Sequence, residues 1–189
     1  MRRAALLTLF LMIAGTVDAG AQTLEIHPYA GGFFPRKFLN LVDVNRNALY
    51  GAKAGIFLTR RIEAEGNFGY LPDLSFASTP ARKKAFIVDG AVAYHIPAAP
   101  MLYVSAGAGG MTASAGRSSS SPFAPAEWTS NHFFSMTYGG GLKALRQWGP
   151  VGYRIDARGR TLPHYYGFRF SWLETTAGLT FSFHRERSK

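Results

Sequence analysis

Ile62-Glu63-Ala64-Glu65-Gly66-Asn67-Phe68-Gly69-Tyr70 alternates without a break between two kinds of residue. Successive side chains of an extended strand point to opposite faces. Such a strand therefore carries Ile62, Ala64, Gly66, Phe68 and Tyr70 on one face and Glu63, Glu65 and Asn67 on the other. The carboxylates stand at mid-strand, not at the ends. Two architectures accept this pattern. A soluble sheet turns the apolar face inward, and a membrane barrel turns it out to lipid and keeps the charges in a lumen.

The same reading extends in both directions. Leu24 to Phe33 sets Leu24, Ile26, Pro28, Ala30 and Gly32 against Glu25, His27 and Tyr29. Ala48 to Leu58 sets Tyr50, Ala52, Ala54, Ile56 and Leu58 against Lys53. Ala85 to Ile96 sets Phe86, Val88, Gly90, Val92, Tyr94 and Ile96 against Asp89 and His95. Leu102 to Met111 sets Leu102, Val104, Ala106 and Ala108 against Tyr103 and Ser105. Phe133 to Leu145 sets Phe134, Met136, Tyr138, Leu142 and Ala144 against Ser135, Thr137 and Lys143. Val151 to Arg160 sets Val151, Tyr153, Ile155 and Ala157 against Arg154, Asp156 and Arg158. Phe170 to Phe183 sets Leu173, Thr175, Ala177, Leu179, Phe181 and Phe183 against Trp172, Glu174, Thr176 and Ser182.

The connections between these eight segments alternate in length. Long ones span about 34–47, 71–84, 112–132 and 161–169; the short ones are Thr59 to Arg61, Pro97 to Pro100 and Arg146 to Pro150. Long loops on one side and tight turns on the other are the asymmetry of outer-membrane barrels. Aromatic residues of the apolar parity, including Tyr50, Tyr70, Phe86, Tyr94, Phe134, Tyr153, Phe170, Phe181 and Phe183, stand near segment ends, where girdles meet headgroups. These features predict an all-β, closed, antiparallel up-and-down barrel of eight membrane strands, with both termini on the short-turn, periplasmic side. An eight-stranded barrel is just wide enough inside to be filled by side chains.

Arg2 and Arg3, an apolar run from Ala4 to Ala14 broken only by Thr8, and Ala19-Gly20-Ala21 form a secretory signal pattern. The run is too short for a spanning helix, which needs about 20 residues. The expected organisation is a cleaved signal over 1–21, a barrel over 22–184 and a short basic tail over 185–189. The chain has no cysteine, which excludes disulfides and thiolate metal sites.

Taken together, these segments resemble the small eight-stranded outer-membrane β-barrel family of the OmpA/OmpX type. The resemblance is carried by Leu24-Glu25-Ile26-His27-Pro28-Tyr29-Ala30-Gly31-Gly32 and Tyr50-Gly51-Ala52-Lys53-Ala54-Gly55. Three further stretches carry it: Tyr103-Val104-Ser105-Ala106-Gly107-Ala108-Gly109-Gly110, Tyr138-Gly139-Gly140-Gly141-Leu142-Lys143 and Arg154-Ile155-Asp156-Ala157-Arg158. It covers about residues 24–183. It implies that Phe181 and Phe183 serve as an assembly signal for the barrel-insertion machinery, although six residues follow Phe183.

The inward parity collects Glu25, His27, Lys53, Glu63, Glu65, Asp89, His95, Lys143, Arg154, Asp156, Arg158 and Glu174. Charges of both signs in a narrow lumen are expected to pair, because an unpaired buried charge is very costly. A plugged polar lumen follows, rather than an open pore. The chain carries a net charge of +10, and removal of Arg2, Arg3 and Asp18 changes that by one unit. The excess is assigned to the long-loop side, to Arg36, Lys37, Arg46, Arg82, Lys83, Lys84, Arg117, Arg160 and Arg169. Arg36, Lys37, Arg82, Lys83 and Lys84 are candidate contacts for lipopolysaccharide phosphates; ordinary solvated loop charge is the alternative.

Glu63 and Glu65 also admit an acid–base reading, and His132 with Ser135 a nucleophilic one, but the latter two fall on opposite strand faces. His27, His95, His132 and His164 lack the spacing of a zinc site. No cofactor is expected, nor any nucleic acid, since the basic residues are scattered and no recognition element accompanies them. The leading expectation is a monomeric outer-membrane barrel with a structural or surface-interaction role and four extracellular loops. The competing readings are a narrow pore or small-solute path, a lipid-modifying barrel enzyme, and a soluble lipocalin-like binder with its apolar face inward.

Overall fold

A computed structural model describes residues 23–35, 45–76, 79–114, 130–165 and 168–184. The signal at 1–21 and the tail at 185–189 lie outside the described residues, as do Arg36, Lys37 and Arg117. Eight strands follow one another: β1 (Thr23–Pro35), β2 (Asn47–Phe57), β3 (Ile62–Phe76), β4 (Thr79–His95), β5 (Leu102–Ser114), β6 (Ser130–Trp148), β7 (Val151–Tyr165) and β8 (Phe168–His184). Each pairs antiparallel with its chain neighbour, and β1 closes on β8 to complete a barrel without an edge. Closure matters in lipid, where an unpaired strand edge has no water to satisfy it.

The register places the apolar parity outside. Val88 is 61% exposed, and Phe68, Val92, Val104, Phe134, Tyr138 and Ile155 are exposed with it. Glu25, Lys53, Glu65, Asp89, Arg154 and Asp156 are buried inside. This excludes the lipocalin-like arrangement, which requires the reverse. Tyr50, Tyr70 and Phe86 lie opposite one another on β2, β3 and β4 and form one row of the outer girdle. The Tyr70 and Phe86 rings stack with centroids 5.1 Å apart.

Glycine makes room on the inner face. A Cβ on Gly51 would collide with the Tyr29 hydroxyl, and one on Gly141 would sit 2.8 Å from that of Tyr103. Both tyrosines can therefore lie across the lumen.

The strands overrun the segments read from the sequence, mostly at the long-loop end. β6 has 19 residues, and β4 and β8 have 17 each, against the ~9–11 that cross a bilayer. The described residues of 71–84 and 161–169 are thus strand rather than loop. Leu71 still pairs with Ala85, Ser75 with Arg82, and Leu162 with Phe170. Beyond the girdle the outward parity no longer needs to be apolar, so the alternation fades while backbone pairing continues. Lys84 and His132, both exposed on strands, mark that change.

The inner face changes character at the same height. Phe33, Leu49, Leu71, Ile87, Met111, Phe133, Leu162, Phe170 and Trp172 continue the lumen parity and form a buried apolar cluster. Phe170 is therefore not part of the lipid-facing girdle. It shares the inward parity of Trp172 and Glu174 and is fully buried against Phe33, Tyr165 and Trp172.

Candidate functional site: the ion-paired lumen

All twelve lumen residues read from the sequence are buried inside the barrel. Their pairing runs in three clusters from the short-turn end upward. In the first, Lys143 on β6 reaches across to Glu25 on β1 (2.7 Å) and Glu63 on β3 (2.6 Å). His95 on β4 adds its Nε2 to the same Glu63 at 3.1 Å.

The second cluster is built on β7. Arg154 meets Glu65 at 2.5 Å and Asp156 at 3.0 Å, and its Nε also lies 2.8 Å from the Tyr103 hydroxyl oxygen. Arg158 takes the other oxygen of Glu65 at 2.7 Å. Lys53 on β2 donates to Asp156. His27 stands beside this cluster and donates from Nδ1 to the Leu179 carbonyl at 2.9 Å.

The third cluster centres on Arg160, which the sequence reading assigned to the long-loop side. It is 1% exposed and belongs to the lumen. Its Nη2 meets Asp89 at 2.8 Å, its Nε meets Glu174 at 2.7 Å, and its Nη1 donates to Ser135 Oγ at 3.0 Å. The Trp172 indole N–H also donates to Glu174, at 2.8 Å. Asn67 donates to Asp89 at 2.9 Å and accepts from the Tyr29 hydroxyl at the same distance. The alternation ends at Arg160, so the sequence alone puts that residue on the loop side. The parity of Arg154, Asp156 and Arg158, continued by one step, is the signal that places it in the lumen.

Five cations, Lys53, Lys143, Arg154, Arg158 and Arg160, thus meet six carboxylates, Glu25, Glu63, Glu65, Asp89, Asp156 and Glu174. Charge is close to balanced, so the large desolvation cost of each ion is offset by partners at hydrogen-bond distance. Glu63 and Glu65, the pair read as a possible acid–base site, are each held by different cations. Ser135 lies in the lumen while His132 is exposed and bonded to Thr112, so the two do face apart. Among the described residues no cluster of three or more metal-ligating side chains has the geometry to hold an ion.

Of the loop-side cations, Lys84 is exposed on β4, and Arg46 and Arg169 are exposed as well. Arg82 and Lys83 sit on β4 opposite Ser75 and Leu74; their side chains lie outside the description. Phe183 is exposed on the outer face of β8 and Phe181 half-buried beside it.

No protein-family model matches the sequence, and no curated protein matches it. Solved structures do. The N-terminal β-barrel domain of Pseudomonas aeruginosa OprF is 18% identical, with 85% of this chain and 97% of that one aligned at a TM-score of 0.50. Neisserial surface protein A is 11% identical, with 87% and 98% aligned at a TM-score of 0.56. The fold is that of the small eight-stranded outer-membrane β-barrels. At this identity the likeness concerns backbone architecture, and the lumen chemistry of the present barrel rests on its own residues.

Proposed function

We propose that this protein is a monomeric outer-membrane barrel whose lumen is plugged by its ion pairs, and that it serves as a structural or surface-interaction scaffold presenting four extracellular loops. The observation that carries the reading is the filled interior. A void beside Tyr29, Lys53, Arg158 and Arg160 has a volume of about 10 Å³, which is near the minimum one water molecule needs. Above it, the apolar cluster of Phe33, Leu49, Leu71 and Phe170 closes the barrel a second time. A conducting path would have to break both layers.

On this reading the outer girdle sits at the outer leaflet, both termini are periplasmic, and a signal over 1–21 is cleaved before Gln22. Phe181 and Phe183 then present themselves to the barrel-insertion machinery. The protein acts without catalysis or cofactor and without nucleic acid. The test is fractionation and electrophysiology of one preparation. The protein is expected in outer membranes as a band whose migration changes on boiling in SDS. In planar bilayers it is expected to give no discrete conductance steps. Regular channel-like steps would overturn the plugged reading, and altered lipid A on overexpression would favour an enzyme.

Lipopolysaccharide is the proposed partner at the outer leaflet. Lys84 stands two residues above Phe86 on the outward parity, which on this reading brings it to the phosphates above the girdle. Arg36, Lys37, Arg82 and Lys83 are its proposed companions. Reversing charge at Arg82, Lys83 and Lys84 together is expected to weaken lipopolysaccharide binding by about fivefold to a hundredfold, from a few tenths of a kcal/mol to ~1 kcal/mol per exposed pair. Unchanged affinity in a pull-down with the folded barrel would remove this partner.

A further inference from the structure

The short-turn rim carries its own charge pattern. The turns over 58–61, 96–101 and 145–150 contain Arg60, Arg61 and Arg146 and no acidic residue, and all three arginines are exposed. Each carboxylate of the described lumen is bonded to a lumen cation, and none is paired with these three arginines.

The β6–β7 turn is built at a cost. The register shifts between Ala144 and Trp148, so three residues on β6 face the single Gly152 of β7. Arg146 within this bulge has φ 53°, the left-handed region that a side chain occupies only with strain. Two residues on, Trp148 is 66% exposed, more than any other large apolar side chain of the described chain. Its ring lies 6.5 Å from that of Tyr153. An indole so exposed, in the same turn as a cation, suits the boundary between hydrocarbon and headgroups.

We infer that the short-turn rim is a binding surface for anionic phospholipid headgroups, with Arg60, Arg61 and Arg146 on phosphates and Trp148 anchored at the same level. The inference rests on the membrane reading above. The geometry favours a lipid surface over a single soluble anion. The β2–β3 turn with Arg60 and Arg61 and the β6–β7 turn with Arg146 lie on opposite sides of an eight-stranded ring. One small ligand cannot span them, whereas a leaflet surrounding the barrel reaches both. Guanidinium groups grip phosphate through paired N–H donors.

The test uses Trp148 as the reporter. The protein is refolded into phosphatidylcholine vesicles containing an equal mole fraction of brominated phosphatidylglycerol or brominated phosphatidylcholine. Quenching is taken relative to Trp148→Phe, which removes the signal of the other tryptophans. Brominated phosphatidylglycerol is expected to associate preferentially, by about fivefold for one surface arginine. The preference should fall in Arg146→Gln and shrink as salt rises. In Arg60→Gln/Arg61→Gln the Trp148 signal should hold while total bound phosphatidylglycerol drops. Equal quenching by both lipids in an inserted, heat-modifiable barrel overturns this inference alone. Failure to insert, or no quenching by either lipid, overturns the membrane reading and this inference with it.

Discussion

Replacing Arg160 by Met is expected to destabilise the barrel by about 3–5 kcal/mol, the penalty for leaving buried charges without their partner. Asp89 and Glu174 would both be stranded, since Arg160 supplies each with a cation at 2.8 and 2.7 Å. Ser135 would lose its donor as well. Met keeps most of the volume, so the loss reports charge rather than a cavity. The measurement is urea unfolding of the protein folded in vesicles. The companion variant, Arg160→Met with Asp89→Asn and Glu174→Gln, removes the stranded charges and should recover most of the loss. An effect below about 1 kcal/mol, the range of exposed ion pairs, would mean that Arg160 reaches solvent.

Phe170→Ala should cost a similar ~3–5 kcal/mol, through the transfer and cavity terms of a fully buried ring. The ring packs between Tyr165, Trp172 and Phe33, at centroid distances of 5.0, 5.2 and 6.5 Å. Phe170→Leu, which fills more of the space, should lose less. Amide hydrogen exchange supplies the second readout. In the parent protein the amides of the paired strand ends near 71–76, 160–165 and 168–172 should be protected, as strand pairing requires. In Phe170→Ala that protection should fall first around 160–172, because local opening follows the loss of buried apolar contact. A loop-like, unprotected segment in the parent would contradict the extended hairpins.

These two residues show where local reading stops. The alternation in Ile62 to Tyr70 is a local consequence of a bilayer on one side and a charged lumen on the other. It is visible in every segment, because each strand must meet both environments by itself. The eight strands, their antiparallel order, the outward aromatics and the twelve inward polar residues therefore appear in the one-dimensional pattern. The tight turns do too.

The long-loop ends were less legible. Past the girdle, water replaces lipid outside, so Lys84 and His132 become acceptable outward residues and the pattern loses contrast. The fading pattern puts Arg160 in a loop and Phe170 on the lipid face, and the closed register puts both inside. The apolar turn of the inner parity, from Asp89 to Ile87 on β4 and from Glu174 through Trp172 to Phe170 on β8, was a usable signal of a second core.

Which charge meets which has no local trace at all. Lys143 is 118 residues from Glu25 and 80 from Glu63, and Lys53 is 103 from Asp156. The periodicity says only that these groups share an interior. Partner choice depends on the stagger of the closed sheet, which sets the heights at which β1, β3, β6 and β7 face one another. Barrel closure is a property of all eight strands together, so the alternating sequence specifies an inside and an outside, and the closed register alone turns that inside into three ion-paired clusters beneath an apolar cap.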